Sequence, residues 1–459
     1  MIADLKPYAE YKESGLPWLG RVPRGWRVVR NGSLFGQRNE TGHGELPILE
    51  VSLRTGIRVR NFGSSARKQV MSDKGKYKRS LKNDLVYNMM RMWQGAVGVS
   101  PVDGLVSPAY VVARPYPDVE PEFFVTLFRT TAFMSEIDGY SRGIVKDRNR
   151  LYWGDFKQIL SPCPPPDEQA AIVRFLGWAN GRLERAIRSK RKVIALLGEQ
   201  KQAIIHRAVT RGLDPSVPLK PSRVPWLGDI PQHWEVRKLK HLTRFVNGLP
   251  FKPGDWKATG VPIIRIQNLN GSEDFNYTDR TDLPEELLIR QGDLVFAWSG
   301  NRGTSFGSFE WTREFPGYLN QHIFKLVGYA LPKRYFYYLL RAVTRHVEER
   351  AGGIIGLVHV TKPELGSVYV PIAPDDEAAA LARGIDSATA EVGRTISRLE
   401  RETELLREYR TRLVADVVTG KLDVREAASR LPDEARLEPV EDDAELGDEP
   451  EPADEEAAV

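Results

Sequence analysis

Two long segments of the chain carry apolar residues at steps of three or four positions, and no proline interrupts either segment. In the second segment, residues 375–431, the series runs through Leu381, Ile385, Ala388, Val392, Ile396, Leu399, Thr403, Leu406, Arg410, Leu413 and Val417. The first, residues 167–214, has a rougher series that Lys190 and Lys201 interrupt. This spacing is typical of a helix with one apolar face. We therefore predict two long helices, over residues 166–212 and 373–424.

Each predicted helix needs a partner, because its apolar face would otherwise lie in water. A helix of about 44 residues is roughly 65 Å long. The simplest arrangement pairs the two helices with each other as an antiparallel coiled coil. The alternative, which the pattern leaves open, is dimerisation of two chains through each helix separately.

The regions that precede the two helices predict α/β domains, residues 1–165 and 213–372. Short apolar strands alternate there with glycine-bearing loops, and one helix follows in each region. The predicted strands are Pro47–Leu49, Asp84–Tyr87, Pro262–Ile264 and Asp293–Phe296, and the predicted helices are Glu122–Phe133 and Lys333–Glu349. The predicted fold class is thus α/β, with two such domains joined by two long helices.

The chain contains an internal repeat. Residues 14–28 read SGLPWLGRVPRGWRV, and residues 222–236 read SRVPWLGDIPQHWEV, an offset of 208. At an offset of 209, PCPPPDEQAAI from Pro162 matches PIAPDDEAAAL from Pro371, and the match continues into the helices. Such self-similarity predicts a duplicated fold with pseudo-twofold symmetry. The repeated tryptophans are expected to pack at a shared corner rather than to stack on bases.

Charge divides the chain into a basic body and an acidic end. The 459 residues carry a net charge of +5, yet residues 432–459 hold thirteen carboxylates against one arginine, or −12, which leaves +17 for residues 1–431. A basic body attracts polyanions such as nucleic acid. The tail, residues 425–459, is expected to be disordered. The single cysteine excludes an internal disulfide, and no apolar stretch reaches the ~20 residues of a membrane helix.

The repeated motif order resembles the DNA specificity subunit of type I restriction–modification systems. The resemblance rests on Trp-Leu-Gly-x-x-Pro-x-x-Trp, a variable domain, and then Pro-x-x-x-x-Glu-Gln before a long helix, and it covers residues 8–425. Glu168-Gln169 matches the last motif, whereas Glu377-Ala378 lacks the glutamine. The resemblance implies that each variable domain is a target recognition domain for one half of a bipartite site in double-stranded DNA.

The resemblance also implies a cytoplasmic, non-catalytic subunit of a larger complex. The paired helices would set the distance between the half-sites and dock two methyltransferase (modification) subunits, which bind S-adenosylmethionine and methylate adenine. Restriction (motor) subunits would add ATP- and Mg-dependent translocation and cleavage. The chain itself would need no cofactor. Lengthening both helices by one turn is expected to lengthen the gap between the half-sites.

A self-contained nuclease or methyltransferase is the alternative function. The chain has neither an Asn/Asp-Pro-Pro-aromatic loop nor a Gly-x-x-x-x-Gly-Lys-Ser/Thr phosphate loop. Asp155-Phe156-Lys157 is a short carboxylate-x-lysine pattern of the kind found in nucleases. The histidines, among them His322 and His359, show no metal-ligand spacing. A coiled-coil scaffold without DNA is a third class, which the two folded domains and the basic body disfavour.

Candidate DNA-reading residues lie in the predicted loops, because arginine and lysine read guanine while asparagine and glutamine read adenine. In the first domain they are Arg54, Arg58, Arg60, Arg91, Gln94, Arg142, Lys146 and Arg148. In the second they are Arg265, Gln267, Asn268, Asn301, Arg302, Asn320, Gln321 and His322. If residues 265–267 form a strand, Arg265 and Gln267 share a face. Arg91 and Arg302, beside glycine loops, are the strongest candidates.

Overall fold

The chain forms two compact units of mixed helix and sheet. The computed structural model describes residues 5–53, 55–60, 74–143, 149–351 and 356–432. Unit 1 comprises residues 1–189 and 402–459, and unit 2 comprises residues 190–401. The mixed helix-and-sheet class predicted from the sequence is confirmed. The boundaries between the units lie within both long helices, whereas the domain bounds predicted from the sequence make each long helix a segment of its own.

Both long helices form where the sequence predicts them. In chain order the described helices are α1 (Pro121–Phe128), α2 (Thr131–Tyr140), α3 (Trp153–Phe156), α4 (Pro166–Arg211), α5 (Ile266–Leu269), α6 (Lys333–Arg350), α7 (Lys362–Ser367), α8 (Asp375–Val418) and α9 (Arg425–Ser429). Pro166 is the first residue of α4. Proline is favourable there because the N–H at this position would have no partner within the helix. Carboxylates occupy the first turns of α4 and α8, where the helix dipole favours them.

The single helix predicted over Glu122–Phe133 is wrong, because two helices occupy that stretch. Arg129 ends α1, and Thr130 begins α2 by accepting a hydrogen bond at its Oγ1 from the Phe133 amide, at 3.4 Å. Threonine is a favoured residue at such a helix start. Apolar residues continue across the break because both helices pack into one core, where the buried rings of Phe128 and Phe133 lie 4.7 Å apart.

In unit 1 the main sheet is antiparallel and has four strands. The strands of this unit are β1 (Tyr11–Glu13), β2 (Arg21–Pro23), β3 (Arg27–Arg30), β4 (Phe35–Arg38), β5 (Leu49–Ser52), β6 (Gly56–Val59), β7 (Lys78–Ser80), β8 (Leu85–Asn88), β9 (Val97–Val99), β10 (Gly104–Val106), β11 (Tyr110–Pro115) and β12 (Leu160–Cys163). The main sheet has the order β4-β11-β8-β9, and Val112 of β11 pairs with Val86 of β8. The remaining strands form antiparallel pairs.

In unit 2 two four-stranded sheets form. The strands are β13 (Leu219–Pro221), β14 (Asp229–Pro231), β15 (Glu235–Lys238), β16 (Arg244–Asn247), β17 (Val261–Ile264), β18 (Asn276–Thr278), β19 (Leu288–Ile289), β20 (Leu294–Ala297), β21 (Ser299–Asn301), β22 (Gly307–Glu310), β23 (Gly317–Leu319), β24 (Ile323–Val327), β25 (Leu357–His359) and β26 (Tyr369–Ile372). One sheet, β16-β24-β20-β22, is antiparallel. The other, β18-β17-β23-β19, contains a parallel pair, β17 with β23.

The core of each unit takes in residues of both long helices. In unit 1, Phe175 of α4 and Val417 of α8 are buried in one cluster with the strands and α1. In unit 2, Val209 of α4 and Ile385 of α8 are buried with α6 and the antiparallel sheet. The apolar faces predicted for the long helices therefore lie in the cores of the units, which stabilises them by hydrophobic burial.

Specific contacts join the two long helices inside each unit. In unit 1, Arg410 Nη1 of α8 donates to Glu184 Oε2 of α4 at 2.8 Å. In unit 2, Leu213, just after α4, lies so close to Gly384 of α8 that a Cβ on the glycine would meet Leu213 Cδ1 at 2.1 Å. A larger residue at position 384 would require the Leu213 side chain to move.

Folded structure in unit 1 continues past residue 425, where the sequence places the beginning of the acidic tail. Arg425–Ser429 form α9, and Val424, Ala428 and Leu431 are buried. Burial of these apolar side chains stabilises residues 424–431. The strongly acidic composition begins only after them. Residues 433–459 of the predicted tail lie outside the described residues. None of the helices in the described ranges has the length and apolar character needed to cross a membrane.

Candidate nucleic-acid interface

Three loops of unit 1 that carry candidate residues are joined by hydrogen bonds. Arg129, at the end of α1, donates from Nη2 to the Ser52 carbonyl at 3.1 Å and from Nε to the Gly95 carbonyl at 3.2 Å. The Leu151 amide donates to the Met89 carbonyl at 2.9 Å. The loops after β5, after β8 and before α3 therefore meet, and Arg129 is the side chain that sequence reasoning missed.

Arg129 is a structural rather than an exposed cation. Its burial lowers the pKa of the guanidinium, and the Glu122 carboxylate opposes that shift. An arginine remains charged despite such a shift because its ordinary pKa is above 12. Its charge and its two carbonyl partners therefore fix the loop ends from which Gln94, an exposed side chain, projects.

Three candidate arginines of unit 1 form ion pairs with carboxylates, the longest between Arg60 Nε and Glu50 Oε2 at 3.9 Å. Arg58 Nε lies 2.6 Å from Glu50 Oε1 on the neighbouring strand, and Arg142 Nη2 lies 2.5 Å from Asp155 Oδ1. Arg91 is half-buried and precedes the helical turn that ends in Gln94. Arg54, Lys146 and Arg148 lie outside the described residues.

In unit 2 the parallel strands β17 and β23 bring two candidate loops together. Ile263 pairs with Tyr318 and Ile264 with Leu319, so Arg265 and Asn320 follow their strands at the same edge of the sheet. The Asn320 amide donates to the Ile264 carbonyl at 3.0 Å. Carboxyl ends of parallel strands are a common location for binding residues. The sequence alone does not show this edge, because the strands are more than fifty residues apart.

A third loop joins this edge through Trp298, which the sequence analysis missed. The Trp298 amide donates to the His322 carbonyl at 3.1 Å, and its Nε1 donates to the Gln321 carbonyl at 3.0 Å. The rings of His322 and His359 lie 5.1 Å and 4.8 Å from the Trp298 ring. Trp298 therefore supports the loop that presents Gln321, which is exposed.

The strand conditionally predicted over residues 265–267 is wrong. Strand β17 ends at Ile264, and Ile266–Leu269 form the short helix α5. Asn268 is 3% exposed, its Oδ1 accepts from the Arg265 amide at 2.9 Å, and its Nδ2 donates to two loop carbonyls. The Asn268 amide thus closes the loop in this structure, and its base contact stays a prediction. Gln267 remains exposed.

Arg302, one of the two strongest candidates, holds the end of α6. Its Nη2 donates to the carbonyls of Glu348 at 2.6 Å and Ala351 at 2.8 Å. A cation that donates to the last carbonyls of a helix satisfies groups that the helix itself leaves unpaired. Arg302 is thus a capping residue in this structure, while the neighbouring Asn301 is exposed at the end of β21.

Each unit also contains a tryptophan bonded to a carboxylate in the first turn of a long helix. In unit 1, Trp26 Nε1 donates to Glu168 Oε1 at 2.8 Å, and the Tyr8 hydroxyl donates to the same oxygen. In unit 2, Trp234 Nε1 donates to Glu377 Oε2 at 3.0 Å. Both indole rings are fully buried. The predicted packing role of these tryptophans agrees with this burial, which makes them inaccessible to bases.

The glutamine that only the first motif contains has a local role. Gln169 is fully buried, its Oε1 accepts from the Glu120 amide at 2.9 Å, and its Nε2 donates to the Pro164 carbonyl at 2.8 Å. The residue in the corresponding place of unit 2, Ala378, is fully buried in the apolar core instead. The motif difference therefore changes a polar contact to an apolar one at the beginning of the helix.

Asp155, the carboxylate of the nuclease-like pattern, is held in its ion pair with Arg142. Within the described ranges, no three histidine, cysteine or carboxylate side chains lie together as a metal site would require. The candidate groups that do come together are hydrogen-bonding amides, arginines and imidazoles, which suit the recognition of base edges.

Comparison with known proteins places these features in a family context. Residues 231–405 match the family model of the type I restriction modification DNA specificity domain. The chain is 25% identical over 285 residues to the type I restriction enzyme MjaVIII specificity subunit of Methanocaldococcus jannaschii, and 27% identical over 194 residues to the EcoBI specificity subunit of Escherichia coli. The chain is therefore similar to type I specificity subunits, which confirms the resemblance seen in the sequence.

The extent of these matches differs. The MjaVIII match covers 59% of this chain and 64% of the relative, and the EcoBI match covers 41% and 39%. A solved chain from a study of complex assembly and conformational transition in a type I R-M system matches with a TM-score of 0.56 and 15% identity, and it covers 87% of this chain and 99% of that one. The structural likeness shows a shared fold.

Proposed function

We propose that the chain is the DNA specificity subunit of a type I restriction–modification complex and that each unit reads one half of a bipartite site. The observation that carries the proposal is the meeting of separate candidate loops within each unit. Ser52, Gly95 and Arg129 join them in unit 1, and Ile264 and Asn320 join them in unit 2. The family match over residues 231–405 supports the assignment for unit 2.

The repeat supports two readers built on one plan. The Trp26–Glu168 and Trp234–Glu377 bonds are equivalent in the two repeats, and both attach a recognition domain to the first turn of a helix. The loops differ in sequence between the units. A shared scaffold with different loops is expected of two domains that bind different DNA sequences.

The long helices are proposed to form an antiparallel coiled coil that sets the spacing of the half-sites. In unit 1, Glu184 of α4 contacts Arg410 of α8. Trp26 contacts Glu168, at the beginning of α4, and Gly420, just after the end of α8. The two helices therefore run in opposite directions in this unit. In unit 2, Leu213, just after α4, lies against Gly384 of α8, so the helices are adjacent there as well. A stiff pair lets both readers bind together without a second search for DNA.

The same helices are proposed to dock two modification subunits. Leu196 of α4 and Leu405 of α8 occupy equivalent repeat positions and are 55% and 63% exposed. Val193 and Tyr409, one helical turn from Leu196 and Leu405, are also exposed, so each helix carries an apolar patch of the kind that binds other proteins. We expect Leu196→Asp and Leu405→Asp each to remove about one modification subunit per complex, and the double variant to remove both, when assemblies are weighed by native mass spectrometry.

The matched control is Glu199→Ala, which alters an exposed residue on α4 without removing apolar surface. It should leave the subunit ratio unchanged. Full assembly by the double leucine variant would contradict the docking site, and it would leave DNA recognition untouched as a separate claim.

We propose that catalysis resides in the partner subunits, which would bind S-adenosylmethionine, ATP and Mg, and that the complex acts in the cytoplasm. The competing function is a nuclease or methyltransferase within this chain. Incubation of the purified chain with DNA and either magnesium or S-adenosylmethionine separates the two. Cleavage or methyl transfer by the chain alone would favour the competitor, and activity only after addition of the partner subunits would favour the adaptor.

A further inference from the structure

Arg265 follows β17 at the edge of the unit 2 sheet where β17 and β23 end, and it has no acidic partner among the described residues. Its guanidinium carbon lies 5.7 Å from the centre of the Trp256 ring, and its Nη1 donates to Asn276 Oδ1 at 3.1 Å. No carboxylate of the described residues lies within ion-pair distance of it. Arg265 is half-buried and Trp256 is 39% exposed, so the pair lies at the surface of the unit.

The backbone beneath Arg265 is also fixed. Its amide donates to Asn268 Oδ1 at 2.9 Å, and Asn268 Nδ2 donates to the Asp274 carbonyl at 2.9 Å. The Ser272 amide donates to the Gln267 carbonyl at 3.0 Å. The loop that follows Arg265 is therefore closed on itself, and the side chain projects from a rigid base.

This arrangement leaves the guanidinium with donors to spare. Arginine has five N–H donors, and the bond to Asn276 uses one of them. Two parallel donors suffice to bind N7 and O6 of guanine in the major groove. Stacking on an indole restricts rotation of the side chain without neutralising its charge. By contrast, Nη2 of Arg302 in the same unit donates to two helix carbonyls.

We propose that Arg265 reads a guanine in the half-site bound by unit 2, and that Trp256 and Asn276 are positioning residues for it. The proposal rests on the proposed function, since it assigns one base within the site of that function. Gln321, which is exposed in the loop beside Asn320, lies at the same edge of the sheet.

The test is selection of binding sites from a randomised duplex library by the full chain with its modification subunits. Arg265→Ala should lower the preference for guanine at one position by roughly ten- to a hundredfold, the range for one lost bidentate contact. Trp256→Leu and Asn276→Ala should lower it at that same position by a smaller factor, about three- to tenfold. Trp256→Tyr, which keeps a stacking ring, should restore most of the preference.

Arg290→Ala is the matched control, because it removes an exposed arginine of unit 2 that pairs with Glu285. It should change no base preference. An Arg265→Ala complex that binds all sequences more weakly, with unaltered preferences and a smaller salt dependence, would show a phosphate contact and overturn the proposal. A wild-type complex with no sequence preference would instead overturn the proposed function itself.

Discussion

A single carboxylate fixes the domain corner of unit 1. Glu168 is 5% exposed and accepts hydrogen bonds from the Trp26 indole and the Tyr8 hydroxyl. Burial and the bond to Glu168 raise the pKa of Tyr8 well above its usual value, so the hydroxyl keeps its proton and donates at neutral pH. At this corner two uncharged donors, the Trp26 indole and the Tyr8 hydroxyl, therefore share one acceptor, the Glu168 side chain.

The two equivalent corners differ in burial, which leads to a comparative prediction. Glu168→Ala leaves two buried donors unpaired and should lower the free energy of unfolding of unit 1 by about 2–4 kcal/mol. Glu377→Ala should cost only about 1 kcal/mol, because its side chain is 31% exposed and water can replace it. Denaturant titration of each full-length variant, with Glu199→Ala as the exposed control, measures both. Equal losses at the two corners would show that burial does not set the cost.

At the level of the elements, periodic patterns predicted structure well and isolated polar residues did not. Helices α4, α6 and α8 follow from apolar spacing, since burial of one face decides their formation. The break between α1 and α2 escaped because apolar residues continue across it. The contacts of Asn268 with loop carbonyls and of Arg302 with a helix end were not predicted, because these partners are set by the folded chain. Trp298 had no local signal, since its contacts come from distant histidines.

The proposed pairing of the long helices leads to a prediction about the spacing of the DNA half-sites. Insertion of seven helix-forming residues after both Ser189 and Arg401 preserves the heptad faces and lengthens each helix by about 10 Å. The gap between the recognised half-sites should grow by about three base pairs, since B-DNA rises about 3.4 Å per pair. Sequencing of methylated sites from cells that contain the altered complex measures the gap.

Insertion into α4 alone is the control for this experiment, because it shifts one apolar face past the other. That variant should assemble poorly. A doubly extended complex that methylates sites with the original gap would separate helix length from DNA spacing and contradict the spacer role.

For the whole molecule, the sequence predicted the essential plan: two mixed helix-and-sheet units, two long helices and a basic body with an acidic end. The family comparison confirmed the resemblance on which the functional interpretation was based. The bases recognised stayed beyond prediction, because readout depends on how loops from distant parts of the sequence meet and on DNA shape. Arg265 illustrates this, since its contacts with Trp256 and Asn276, which distinguish it from the other candidates, form only after folding.

The central claim is that each unit reads one half of a split DNA site, and mapping of methylated sites for three complexes tests it most directly. These are the wild type, Gln94→Ala in unit 1 and Gln321→Ala in unit 2. The wild type should modify two specified blocks separated by an unspecified gap. Each variant should relax base preference in one block only, a different block for each. A single continuous site, or variants that both alter the same block, would contradict the account.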